Sequence, residues 1–148
     1  MSNIIIIPNI ENYNITFIDG SLYLTPKQVK MDEDDLYKKD ISASTIIKSN
    51  IINEDKIISN KTSFRGILID IWKTMPPNII LQNTSFNFKL EDARGDKGYY
   101  WCDDIKMSFQ NKDAPSTLKE VIGMCKLNKY TMEIKIKFKD GSIGEFEL

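Results

Sequence analysis

The chain contains no histidine. That removes the commonest general base, the usual activator of serine and cysteine nucleophiles, and the commonest metal ligand. Arginine is almost missing too, at Arg65 and Arg94 alone. The seven glycines are scattered singly, so no glycine-rich loop is available to cradle a phosphate. The two cysteines, Cys102 and Cys125, have no zinc-motif spacing and are too few for a disulfide scaffold. They are expected to be reduced, half-buried thiols. No secretory signal is expected: Ile4 to Ile7 is a four-residue apolar run that stops at Pro8 without a basic flank. It is also far too short to cross a bilayer. The net charge of −1 gives no field that would gather nucleic acid or an anionic membrane.

What remains is an ordinary globular composition, 41% hydrophobic and 28% charged over 148 residues, enough for one domain with its own core. Isoleucine, lysine and asparagine are abundant and alanine and valine scarce, the imprint of an AT-rich genome such as that of a phage, a large DNA virus or an AT-rich bacterium.

The chain opens in strands. Ile15–Ile18 and Ser21–Leu24 flank Asp19-Gly20, a two-residue hairpin turn that sets Phe17 against Leu22 and Ile15 against Leu24. Their shared apolar face predicts a half-buried hairpin. Residues 27–42 are dense in charge, with Asp32-Glu33-Asp34-Asp35, and suggest a loop or short surface helix. The isoleucine pairs at 46–47, 51–52 and 57–58 favour strands, with Ile52 facing Ile57 across a polar turn.

Phe64, Ile67, Leu68, Ile71, Trp72 and Met75 form one helical stripe, capped by Thr62 or Ser63 and stopped by Pro76-Pro77. Its burial contributes on the order of 10 kcal/mol before entropy is subtracted. Two strands are expected next: one carrying Phe86, Phe88 and Leu90, and one carrying Tyr99, Trp101, Ile105, Met107 and Phe109 with a bulge near Cys102–Asp104. A second helix is predicted over about 114–127, with Leu118, Val121, Ile122 and Cys125 inward. The end is a hairpin. A two-residue turn would mix its faces, whereas a three-residue loop, Lys139-Asp140-Gly141, pairs Ile134 with Phe146 and Lys135 with Glu145. Gly141 is then left-handed.

The expected fold class is α+β, a mostly antiparallel sheet with two helices. From about residue 56 the order matches a ferredoxin-like βαββαβ core, with residues 1–55 as a β-rich extension of a single domain.

Three functions fit these residues. A non-enzymatic protein-binding module, accessory or inhibitory, is favoured because the reactive residue types are missing and antiparallel edges can accept a partner strand or a second copy. Such a protein would be cytoplasmic, in a host cytoplasm if viral, with no cofactor and no membrane partner. A single-stranded nucleic-acid binder would use Lys97, Tyr99, Tyr100 and Trp101 for base stacking, with Lys135 and Lys137 as cations. That pattern departs from the RNA-recognition motif: Tyr100 stands where the motif wants a small residue, and Asp103 and Asp104 follow where it wants apolar and aromatic ones. Tyr99 and Trp101 share the parity of Met107 and Phe109, which places them in the core. A carboxylate- or metal-dependent hydrolase would draw on Glu91, Asp92, Asp96, Asp103 and Asp104.

Overall fold

A computed structural model describes residues 10–148. The chain is α+β, with ten strands in three sheets and four α-helices among these residues. The first hairpin, β1 (Tyr13–Ile18) and β2 (Ser21–Pro26), has the register read from its turn: Phe17 faces Leu22 and Ile15 faces Leu24. Asp19 and Gly20 both take positive φ, as a two-residue turn of this hand requires. The expected half-burial does not occur. Every residue from 14 to 25 is exposed, and among the described residues the two strands pair only with each other.

The main sheet has the order β3-β10-β9-β4-β5 and is built from β3 (Gln28–Lys30), β4 (Thr45–Asn53), β5 (Lys56–Ser59), β9 (Thr131–Lys137) and β10 (Ile143–Glu147). All its pairings are antiparallel except β3 with β10. Ile52 faces Ile57 across the β4–β5 turn. β4 lies between β9 and β5, so residues 45–53 belong to the centre of the sheet rather than to an extension of it. The last hairpin has its three-residue loop, with Ile134 against Phe146, Lys135 against Glu145, and Gly141 at φ 89°. Phe138 N–H donates to Ser142 O at 2.9 Å and closes that loop.

Two long helices cover one face of this sheet. α2 (Phe64–Trp72) is capped by Ser63, whose Oγ accepts from Gly66 N–H at 3.1 Å. α4 (Ala114–Asn128) is capped by Asp113, which accepts from Ser116 N–H at 2.9 Å. Ile67, Leu68 and Ile71 of α2 and Leu118, Val121 and Ile122 of α4 bury against Ile46, Ile51, Met132, Ile134 and Ile136 of the sheet. The acidic run forms the short helix α1 (Glu33–Tyr37), and it is less superficial than its charge suggested: Leu36 and then Ile41 are fully buried.

Pro76-Pro77 ends the stripe, yet it also begins a further helix, α3 (Pro77–Asn83), with Pro77 in the first turn, where its missing N–H costs nothing. The stretch read as two strands makes three. β6 (Phe88–Lys89), β7 (Tyr99–Cys102) and β8 (Met107–Gln110) form a separate small sheet of order β6-β8-β7. The strands of the expected ferredoxin-like core are thus divided between two sheets. The interruption at Asp103 is a four-residue turn, not a bulge: Cys102 pairs with Met107, and Lys106 takes φ 54°.

Trp72 joins the small sheet to the helices. Its ring meets Phe86, Phe88 and Phe109 edge-on at centroid distances of 5.3, 5.0 and 5.2 Å. It is fully buried, and among the described residues its indole N–H has no hydrogen-bond acceptor. Trp72→Ala is expected to cost about 3–5 kcal/mol in chemical denaturation. Trp72→Phe, which leaves no polar group stranded, should cost well under half as much.

Candidate functional site

The residues singled out from the sequence fall on different sheets. Lys135 and Lys137 lie on β9 of the main sheet, whereas Tyr99, Tyr100 and Trp101 form β7 of the small one. Lys135 is paired with Glu145 at 3.3 Å on the outer sheet face, and Lys137 is exposed. Lys97 is exposed, and its carbonyl accepts from Gln110 Nε2 at 3.2 Å. No single cationic and aromatic surface assembles from them.

On β7 the orientation is the reverse of the expected one. Tyr100 and Cys102 share the face of Phe109 and Met107, because the turn at 103–106 shifts the parity between the two strands. Tyr99 and Trp101 are half-buried on the opposite face, beside Ser108 and Gln110. That face is no open platform for bases. The buried Ser108 Oγ accepts from Ala93 N–H at 2.8 Å and donates to Glu91 O at 2.9 Å, which lays the connecting loop across it. Lys89 Nζ sits 4.6 Å from the Tyr99 ring centroid. Tyr100 is exposed, carries the Arg65 guanidinium at 4.6 Å, and stacks on Phe109 at 6.3 Å. Arg65, Tyr100, Trp101, Asp103 and Asp104 line a shallow cleft of about 240 Å³.

The carboxylates of this region do not converge; most carry a cation of their own. Asp92 is gripped by Arg94, whose Nε reaches Oδ2 at 2.8 Å. Asp96 pairs with Lys89 at 2.7 Å, and Asp103 with Lys106 at 2.7 Å. Hydrogen bonds from these partners hold the Asp92 and Asp103 carboxyls below the ordinary carboxylate range. Asp104 is exposed at the cleft rim. Among the described residues no three His, Cys, Asp or Glu side chains are placed to share a metal ion. Adding Mg²⁺ or Ca²⁺ is accordingly expected to leave the melting temperature unchanged. A rise that disappears in Asp103→Asn with Asp104→Asn would identify a metal site here.

The ionic cluster that the sequence did not single out is around Asp70 on α2. Its side chain is buried and accepts from Ser59 Oγ at 2.8 Å and Lys61 Nζ at 2.8 Å, with Lys73 Nζ at 3.2 Å. Burial pushes the Asp70 carboxyl up, but the hydrogen bonds from Lys61, Ser59 and Lys73 outweigh it and hold the group below its ordinary value. Ser59 is itself buried and its hydroxyl proton is directed into the carboxylate, so the arrangement ties β5 to α2 rather than presenting a nucleophile. Glu120 of α4 plays a similar part, accepting from Ser85 N–H at 3.1 Å and Ser85 Oγ at 2.9 Å at the end of α3. Burial pushes the Cys125 thiol up to about 12, far from a reactive thiolate.

Because the folded Asp70 carboxyl titrates below its unfolded value, its contribution is present above about pH 4 and is lost as pH falls through the lowered folded value. Asp70→Asn should cost about 1–2 kcal/mol at neutral pH, since Lys61 and Lys73 are half-exposed and rehydrate. It should also flatten the acid limb of the stability curve. An unchanged acid limb would mean that other carboxylates set it.

What stands out in area is apolar rather than chemical. The β1–β2 arm exposes six large apolar side chains, Ile15 45%, Phe17 73%, Ile18 53%, Leu22 36%, Tyr23 52% and Leu24 39%, with Asp19 as its one charge. Among the described residues, its contacts with the body are at its base. Lys27 N–H donates to Asn12 O at 2.8 Å, and Lys27 O accepts from Ile143 N–H of β10 at 3.0 Å. Tyr13 lies over the β9–β10 loop so closely that a Cβ on Gly141 would fall 2.3 Å from its hydroxyl. Compared with protein-family models, curated proteins and solved structures, the chain matches none. No helix among the described residues is long and apolar enough to cross a membrane.

Proposed function

We propose that the chain is a non-enzymatic protein-binding module, of the accessory or inhibitory kind, whose contact surface is the β1–β2 arm. One observation carries this reading. A stretch of 12 residues, 14–25, has no buried or half-buried member and carries six large apolar side chains and a single charge. An isolated two-stranded hairpin is marginal in water, and clustered exposed apolar side chains mark places where another surface is received. Among the described residues no further strand pairs with either edge of the arm, and such edges can accept a strand. Asp92, Asp96 and Asp103 beside the small sheet are each paired with a cation, and the Tyr99 and Trp101 face is crossed by the connecting loop, which leaves the arm as the largest group of exposed apolar side chains among the described residues.

Site-specific photocrosslinking tests this. The photoreactive analogue benzoyl-phenylalanine replaces Phe17 on the arm or, as a control, the exposed Leu127 at the far end of α4. In cells of the encoding organism, position 17 is expected to give a discrete crosslinked protein species and position 127 none. Crosslinks from position 127 with none from position 17 would refute the arm as the contact surface.

A further inference from the structure

We infer that Asp19, at the tip of the arm, is a site of spontaneous covalent rearrangement to isoaspartate, and that the fold protects the matching residue Asp140 from the same reaction. The chemistry needs this chain and water alone, so it stands whether or not the arm meets a partner.

The tripeptide Asp-Gly-Ser occurs twice, at 19–21 and at 140–142, each time at the turn of a hairpin. No asparagine of the chain precedes glycine or serine. The two Asp-Gly pairs are therefore where a side-chain carboxyl is most easily reached by the next backbone nitrogen, since glycine has no Cβ to obstruct the approach. At the arm, the Gly20 nitrogen bonds to Asp19 Cγ, one carboxyl oxygen leaves as water, and a five-membered imide closes. Water then opens the ring. Attack at Cγ restores aspartate. Attack at the main-chain carbonyl carbon breaks its bond to the Gly20 nitrogen and leaves the chain running through Cβ and Cγ. One water is lost and one gained, and nothing is oxidised or reduced.

Because the two tripeptides are identical, their surroundings decide between them. The Asp140 carboxylate accepts from Ser142 N–H at 2.9 Å and from Ser142 Oγ. Those bonds hold it below the ordinary carboxylate range, so it is seldom the protonated acid that releases water readily. Gly141 N–H donates to Phe138 O at 3.0 Å, and the Tyr13 hydroxyl crowds the same glycine. The attacking nitrogen and the carboxyl are both held in place. At the arm, Asp19 and Gly20 are exposed, and a Cβ on Gly20 would meet no atom within 4 Å. A two-stranded hairpin of this kind opens easily and lets the ring close. The product lengthens the backbone of a two-residue turn by one atom. The Ile18–Ser21 pair and then the Phe17–Leu22 pair lose their register, so the modification reshapes the apolar face of the arm.

Ageing the full chain in heavy-oxygen water at physiological temperature and mildly acidic to neutral pH tests this. Peptide mapping with an isoaspartate-specific carboxyl methyltransferase then locates the product. Isoaspartate carrying one heavy oxygen is expected at Asp19, accumulating at least about ten-fold faster than at Asp140. In denaturant, where the Ser142 and Phe138 bonds are gone, the two sites should react at similar rates. Hydrogen exchange of the aged chain should speed up in the arm and stay unchanged in the main sheet. A folded chain that accumulates no isoaspartate at Asp19 overturns the inference, as does one in which Asp140 keeps pace. A difference between the sites that persists in denaturant also overturns it, because the fold would then not be its cause.

Discussion

The packing of Trp72 against Phe86, Phe88 and Phe109 is the contact on which the arrangement of the molecule depends. The main sheet and its two long helices could close a core without the small sheet. The small sheet could not: a two-residue β6 and four-residue β7 and β8 have little to bury on their own. The indole ring at the C-terminal end of α2 gives all three phenylalanines one partner. Edge-on aromatic contacts of this kind add about 0.5–1.5 kcal/mol each beyond the area they bury. The helix therefore faces two ways. Asp70 ties it to β5 through Ser59 and Lys61, and two residues later Trp72 ties it to the small sheet.

Such packing explains where chemistry is absent from the surface. Ser59, Asp70, Ser108 and Glu120 are the polar groups a reader of sites would notice, and each is buried with hydrogen-bond partners inside the chain. A buried polar group without a partner costs about 1–3 kcal/mol, so these contacts are what lets the elements meet. Three of the four aspartates of the 91–106 region, Asp92, Asp96 and Asp103, are held by nearby lysines and an arginine instead of by one another. The arm is the converse case. Its apolar residues obey the strand pattern, yet nothing among the described residues covers them.

How far the sequence reveals all this follows from how local each signal is. The last hairpin was legible to the residue because only one loop length keeps Ile134 and Phe146 on one face and Lys135 and Glu145 on the other. The Asp19-Gly20 turn was legible because positive φ has its own residue preference. The turn at 103–106 was not. It contains neither glycine nor proline, its positive φ falls on Lys106, and Ile105 continues the apolar alternation of Tyr99 and Trp101 across it. One strand and two strands then look alike, and the facing of Tyr99, Tyr100 and Trp101 comes out inverted. Pro76-Pro77 carries both a stop and a start, and the apolar stripe before it signals the stop alone. The exposure of the arm lies beyond any local pattern, since alternation says which side chains share a face and not what meets it.

The edges of the sheets carry a consequence for handling the protein. The main sheet ends in strands of three and four residues, too short to template much growth. The arm ends in two six-residue strands with no lysine, arginine or glutamate along them and its one proline at the last position. Natural proteins place such residues there as gatekeepers against runaway strand addition. A lysine or glutamate placed along these two strands is thus expected to raise solubility at high concentration without touching the core of the folded body.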